Sequence, residues 1–89
     1  MKKLKKVIVN LGCGKVKIPG AIGLDRVKID GYVDIVHDLD EVPYPFKKDS
    51  VDEIHFYHVL EHLHDPIRKL EEIHRILKPG GLLHMRVPH

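Results

Sequence analysis

The chain has 89 residues, 43% hydrophobic and 31% charged, with a formal net charge of +2. That is enough for one domain spanning 1–89, and too little charge to argue for nucleic acid as a partner. No apolar run reaches the ~18 residues of a membrane span, and the basic start lacks the h-region and cleavage site of a signal peptide.

Taken in chain order, Lys2, Lys3, Lys5 and Lys6 read as a solvated tail rather than a polyanion site. Val7–Leu11 reads as a buried parallel strand, apolar apart from Asn10. Gly12–Gly20 is a glycine-containing loop, and Ala21–Asp25 is a second short strand. Segment 26–32 is polar, with an Asp30-Gly31 turn, and Val33–His37 is a third strand closing on Asp38-Leu39-Asp40. After a proline-containing loop, Val51–His58 is a fourth strand.

Asp65–Lys78 carries the plainest helical signal. Asp65 suits the cap and Pro66 the first turn. Ile67, Leu70, Ile73, Ile76 and Leu77 form an apolar stripe at helical spacing, and Glu71 and Arg75 are placed for an i, i+4 pair. Lys78-Pro79-Gly80-Gly81 should stop the helix before a fifth strand, Leu82–Val87. The first two parallel connections are shorter than the usual dozen or more residues, so either they are lean or one boundary lies elsewhere.

An apolar strand running into Gly12-Cys13-Gly14, then a second strand ending in Asp25, is how α/β sheets build a nucleoside pocket. Bare glycine backbone permits close approach, and a carboxylate at the next strand end can accept both hydroxyls of a ribose.

In order, Leu11-Gly12-Cys13-Gly14, Gly23-Leu24-Asp25, His37-Asp38-Leu39, Ser50-Val51-Asp52-Glu53-Ile54, His58-Val59-Leu60-Glu61-His62-Leu63 and Arg75-Ile76-Leu77-Lys78-Pro79-Gly80-Gly81 resemble the successive motifs of class I S-adenosylmethionine-dependent methyltransferases. The likeness is nearest to the small type-11 group and spans Val7 to Pro88. The resemblance implies a Rossmann-like, three-layer α/β fold with a mostly parallel sheet in the order 3-2-1-4-5. The family's sheet has seven strands, so this chain reads as truncated after the fifth. The family's usual acidic residue in the first strand is Asn10 here, and its first helix is replaced by Lys15–Gly20.

On that resemblance the cofactor is S-adenosylmethionine, a sulfonium without phosphate, so no anion cradle is needed. Gly12 and Gly14 would bring bare backbone to it, with Cys13 between them as a small buried filler. Asp25 would hold the ribose. Asp38, with Asp40 as its alternative, would hold the adenine amine beside the Leu39 amide. Asn10 either helps hold the methionine end through water or is a satisfied buried amide. His58 would line the cofactor. His58 or His62 could act as base if the acceptor must lose a proton, a packing role being the plainer reading. Glu61 is placed to bond helix-start amides.

His58-Val59-Leu60-Glu61-His62 also matches the H-x-x-E-H pattern of a zinc peptidase group, but a strand at His58 would point the rings apart, and no metal site is expected beyond adventitious binding by His58, His62 and His64. A dinucleotide site is disfavoured: Lys17 stands where a third glycine belongs, and Asp25 comes too early. The single cysteine fits a reducing cytoplasm. The fifth strand would be an exposed edge, and pairing of Leu82–Val87 with a second copy or with further chain is expected. The competing function is a non-catalytic module that holds the cofactor or a partner.

Overall fold

The structure is a computed structural model that describes residues 5–57 and 62–86. Its elements are β1 (Ile8–Leu11), β2 (Ala21–Asp25), β3 (Ile35–Val36), β4 (Val51–Tyr57), α1 (Pro66–Ile76) and β5 (Leu77–Arg86). The strands form one sheet in the order β3-β2-β1-β4-β5, and every neighbouring pair is parallel. This is the expected Rossmann-like arrangement. Among the described residues no helix is long and apolar enough to cross a membrane.

Partners in register share a face of a sheet. Val9 aligns with Ile22 and Ile54, and Leu11 with Leu24. Val9, Leu11, Leu24, Ile54 and Phe56 are buried in one cluster with Ile73 and Ile76 of α1, together with Leu39, Tyr44 and Val51. The opposite face carries Asn10 beside Gly23 and His55. Loops rather than a helix cover part of it: the Asn10 amide donates to the Val16 carbonyl at 3.1 Å. Gly23 is required here, because a Cβ would collide with the Tyr32 carbonyl oxygen.

The first two crossovers, 12–20 and 26–34, are indeed lean and hold no helix. Side-chain carboxylates satisfy main-chain amides around these strands. Gly14 N donates to Asp25, Gly23 N to Asp34 and Val7 N to Asp52, each at 2.7 Å. The bond from Val7, with Lys78 beside it, holds the Asp52 carboxyl below its ordinary range.

Four local expectations are corrected. The third strand is only Ile35–Val36 rather than Val33–His37. The helix ends at Ile76 rather than Lys78, because Leu77 is already extended and joins β5. Lys78-Pro79-Gly80-Gly81 is therefore not a stop between elements. It is an irregularity inside β5: while β4 advances from Val51 to Glu53, β5 advances from Leu77 to Leu82. On α1, Ile67 is 71% exposed and takes no part in the buried stripe.

The fourth correction concerns Arg75, whose guanidinium grips Glu72, one turn back, and not Glu71. Nε donates to Oε1 and Nη2 to Oε2, both at 2.7 Å. Glu72 also accepts the Tyr44 amide at 2.6 Å, and Arg75 reaches the Phe46 carbonyl at 3.0 Å. The pair thus fastens the loop after β3 to α1. The Arg75 hydrogen bonds hold the Glu72 carboxyl below its ordinary range, against the opposing effect of burial. Burial and the neighbouring Glu72 charge push the Tyr44 hydroxyl up.

Candidate functional site

At the C-terminal ends of β1 and β2 the chain bends sharply. Gly12 and Gly14 have φ of 70° and 51°, the left-handed region that suits glycine. The amides of Gly12 and Cys13 both donate to the Leu24 carbonyl, at 2.8 and 3.1 Å. The bend is thus fixed to the end of β2, and the Gly14 amide meets Asp25 Oδ2. The other Asp25 oxygen accepts the Arg26 amide at 2.7 Å. Two main-chain donors therefore orient this carboxylate before any ligand arrives.

Gly12 and Asp25 border a cavity of about 410 Å³, within the usual size of small-molecule sites. Its remaining wall comes from Arg26, from Asp38-Leu39-Asp40 after β3, and from His62 and Leu63. Asp38 Oδ1 accepts the Asp40 amide at 2.9 Å, which sets the turn. Asp40 in turn accepts the His64 amide at 2.8 Å and faces His64 Nδ1 at 3.0 Å. The His64 amide bond is the main reason the Asp40 carboxyl sits below its ordinary range, with the His64 side chain and Lys69 assisting. The loop after β3 is thereby joined to the segment before α1. Asp65 Oδ1 caps that helix through the Arg68 amide at 3.3 Å.

Of the residues singled out in the sequence, Gly12, Asp25, Asp38, its alternative Asp40, Leu39 and His62 line this one cavity. Gly14 supports it from behind through Asp25. Cys13 does not reach it: the thiol is buried and directed at the Tyr32 carbonyl, 3.5 Å away. Burial, with the Asp25 charge next in size, pushes that thiol up, away from nucleophilic character. Asn10 does not line it either, because its amide is held by Val16 on the other face of the sheet. His58 and Glu61 lie outside the described residues, and with them the H-x-x-E-H pattern.

Arg26 and Leu63 also border the cavity and were missed. Arg26 carries a signal, since it directly follows a strand-end carboxylate, whereas Leu63 looks like any apolar residue. A larger hollow of about 580 Å³ lies between Val42-Pro43 and α1. It is away from the strand ends where open α/β sheets bind ligands, and Glu72 and Arg75 on its wall already hold each other.

The cavity suits a nucleoside cation. It offers three carboxylates, Asp25, Asp38 and Asp40, and a bare-backbone bend, and among the described residues no α-helix N-terminus lines it as a phosphate cradle.

A family model described as "Methyltransferase domain" matches residues 18–85. One solved structure that resembles the chain is a complex between the Haloferax volcanii Trm112 methyltransferase activator and "the putative methyltransferase". The two share 31% sequence identity at a TM-score of 0.70, over 90% of this chain and 44% of the other. The chain thus spans less than half the length of that relative. The partner there is a different protein, so the second copy expected at Leu82–Val87 has no counterpart in that complex. No curated protein matches.

Proposed function

Because the chain belongs to the methyltransferase-domain family, we propose that the cavity between Gly12, Asp25 and Asp38 binds S-adenosylmethionine for methyl transfer to an acceptor. One observation carries the reading: the glycine bend and the strand-end carboxylate, joined by the Gly14–Asp25 hydrogen bond, border a single hollow. Bound there, the cofactor supplies an electrophilic methyl group on a sulfonium.

The chain's own residues then bind and align. Asp25 keeps unused lone pairs beside its two amide bonds, and these accept the ribose hydroxyls. Asp38 accepts the adenine amine while the Leu39 amide donates to the ring. Gly12 leaves room for the amino-acid end. Displacement at a methyl carbon gains chiefly from alignment and exclusion of water. Where the acceptor must lose a proton, His62, on the cavity wall, takes it; His58 is proposed for the same role from the sequence alone.

Calorimetry with S-adenosylmethionine and S-adenosylhomocysteine tests this directly. Saturable binding of both is expected, and a folded sample that binds neither would overturn the reading. A second reading, a cofactor-holding module without turnover, is favoured by that relative's complex with an activator. Binding without methyl transfer, across a panel of acceptors, would select it.

We further propose that the outer edge of β5 receives another strand, from a second copy or another protein. Leu82, Leu83 and Met85 are exposed along it. The buried free thiol of Cys13 supports a reducing, cytoplasmic setting.

A further inference from the structure

On the loop-covered face of the sheet, β4 and β5 bring together a group of side chains that the cavity does not use. His55 and His84 are aligned in register, so their rings lie side by side on one face. The rings are stacked, with centroids 4.5 Å apart and planes 8° from parallel. Glu53, two residues before His55, projects on the same face. A single carboxylate oxygen, Glu53 Oε1, stands 3.2 Å from His55 Nε2 and 2.8 Å from His84 Nε2. The three possible donor atoms all lie within 4.8 Å of one another.

We propose that Glu53, His55 and His84 are the ligands of a divalent transition metal of the zinc class.

The chemistry fits. Two imidazoles and one carboxylate are a recurrent open zinc set, leaving a fourth position for water or another ligand. Bonds of about 2.0–2.1 Å at tetrahedral angles hold donor atoms roughly 3.3 Å apart. The Glu53–His55 separation is already near that spacing; on binding, the shorter Glu53–His84 contact opens slightly and the two stacked rings tilt apart so that the metal lies in both imidazole planes.

The surroundings fit as well. His55 Nδ1 lies 2.9 Å from the Tyr57 hydroxyl. With Nε2 on the metal, Nδ1 carries the proton and donates to that oxygen, an outer contact of the kind that orients metal-bound imidazoles. Arg86 lies over the phenol ring, its guanidinium carbon 5.5 Å from the centroid. The side chains of His55 and Glu53 are 12% and 19% exposed, and that of His84 41%, so the site is supported from below and entered from solvent. Bound metal would clamp β5 to β4.

The plainer arrangement is a hydrogen-bonded triad in which neutral imidazoles donate to Glu53. The test separates the two. Full-length chain, stripped with a chelator, is titrated with Co²⁺ alone, followed by visible d–d absorption, and then challenged with Zn²⁺. Saturable uptake, a tetrahedral-type spectrum and displacement by Zn²⁺ are expected. His55→Gln and His84→Gln should abolish the spectrum, while His74→Gln, on the exposed side of α1, leaves it unchanged. Tyr57→Phe should weaken binding about 10- to 100-fold.

Imidazole ¹⁵N spectra of the unmodified chain give a readout independent of whether any variant folds. Zn²⁺ should move the Nε2 signals of His55 and His84. No uptake would leave a hydrogen-bonded triad only and overturn the proposal. So would uptake that survives His84→Gln, or Zn²⁺ shifts confined to other histidines.

Discussion

Asp25 is the residue on which the candidate site turns. It shapes the glycine bend through Gly14 and borders the cavity. Asp25→Ala should weaken S-adenosylmethionine binding by about 1–3 kcal/mol in calorimetry, through loss of charge-assisted hydrogen bonds. Unchanged affinity would remove the ribose assignment. Gly23 tests the close approach between β2 and the loop 26–34. Gly23→Ala drives a methyl into the Tyr32 carbonyl and against the Cys13 sulfur, and should cost about 1–3 kcal/mol in urea unfolding. The positions of Gly12, Asp25 and Asp38 were legible because backbone demand and strand-end placement restrict residue type there. The destination of the Asn10 amide was not, since sequence does not say which carbonyl will face a buried donor.

Helix α1 shows why element ends are harder to read than element cores. Ile73 and Ile76 are buried as their spacing requires. Ile67 obeys the same spacing, yet it sits in the first turn beyond the reach of the sheet. Lys78-Pro79-Gly80-Gly81 has the composition of a stop, but β5 continues through it, with a shift of register, because Leu77 already pairs with Val51. Either residue of the Glu72–Arg75 pair could have found other partners, and the loop after β3 decided the outcome. Arg75→Ala leaves Glu72 nearly buried without its guanidinium, and should cost about 1–3 kcal/mol of stability in denaturant unfolding. The pH dependence follows in sign. Glu72, Asp40 and Asp52 all have folded carboxyls held below their ordinary range. Their stabilisation is complete above the ordinary carboxyl value of about 4, and is lost as pH falls through the lower folded values. Melting temperature should drop on acidification below about pH 4, and the drop should be shallower in Glu72→Gln.

For the molecule as a whole, strand order was legible while the nature of the cover was not. Order follows from six motifs in sequence. That carboxylates at Asp25, Asp34 and Asp52 tie down the amides of Gly14, Gly23 and Val7 depends on contacts between distant segments. Among the described residues the sheet is closed on one side by α1 and only partly covered on the other. If the edge of β5 is used, light scattering should give a mass above that of one chain, or of the chain alone when a partner is added. Slow hydrogen exchange at Leu82–Arg86 in the complex should accompany it.

The irregularity at 78–81 sets how far such pairing can go. Pro79 has no N–H to offer, and Gly80 turns away with φ of 80°. Only the straight run from Leu82 onward presents an orderly row of donors and acceptors to a newcomer. A kinked border of this kind would confine any newcomer to the short stretch beyond the kink.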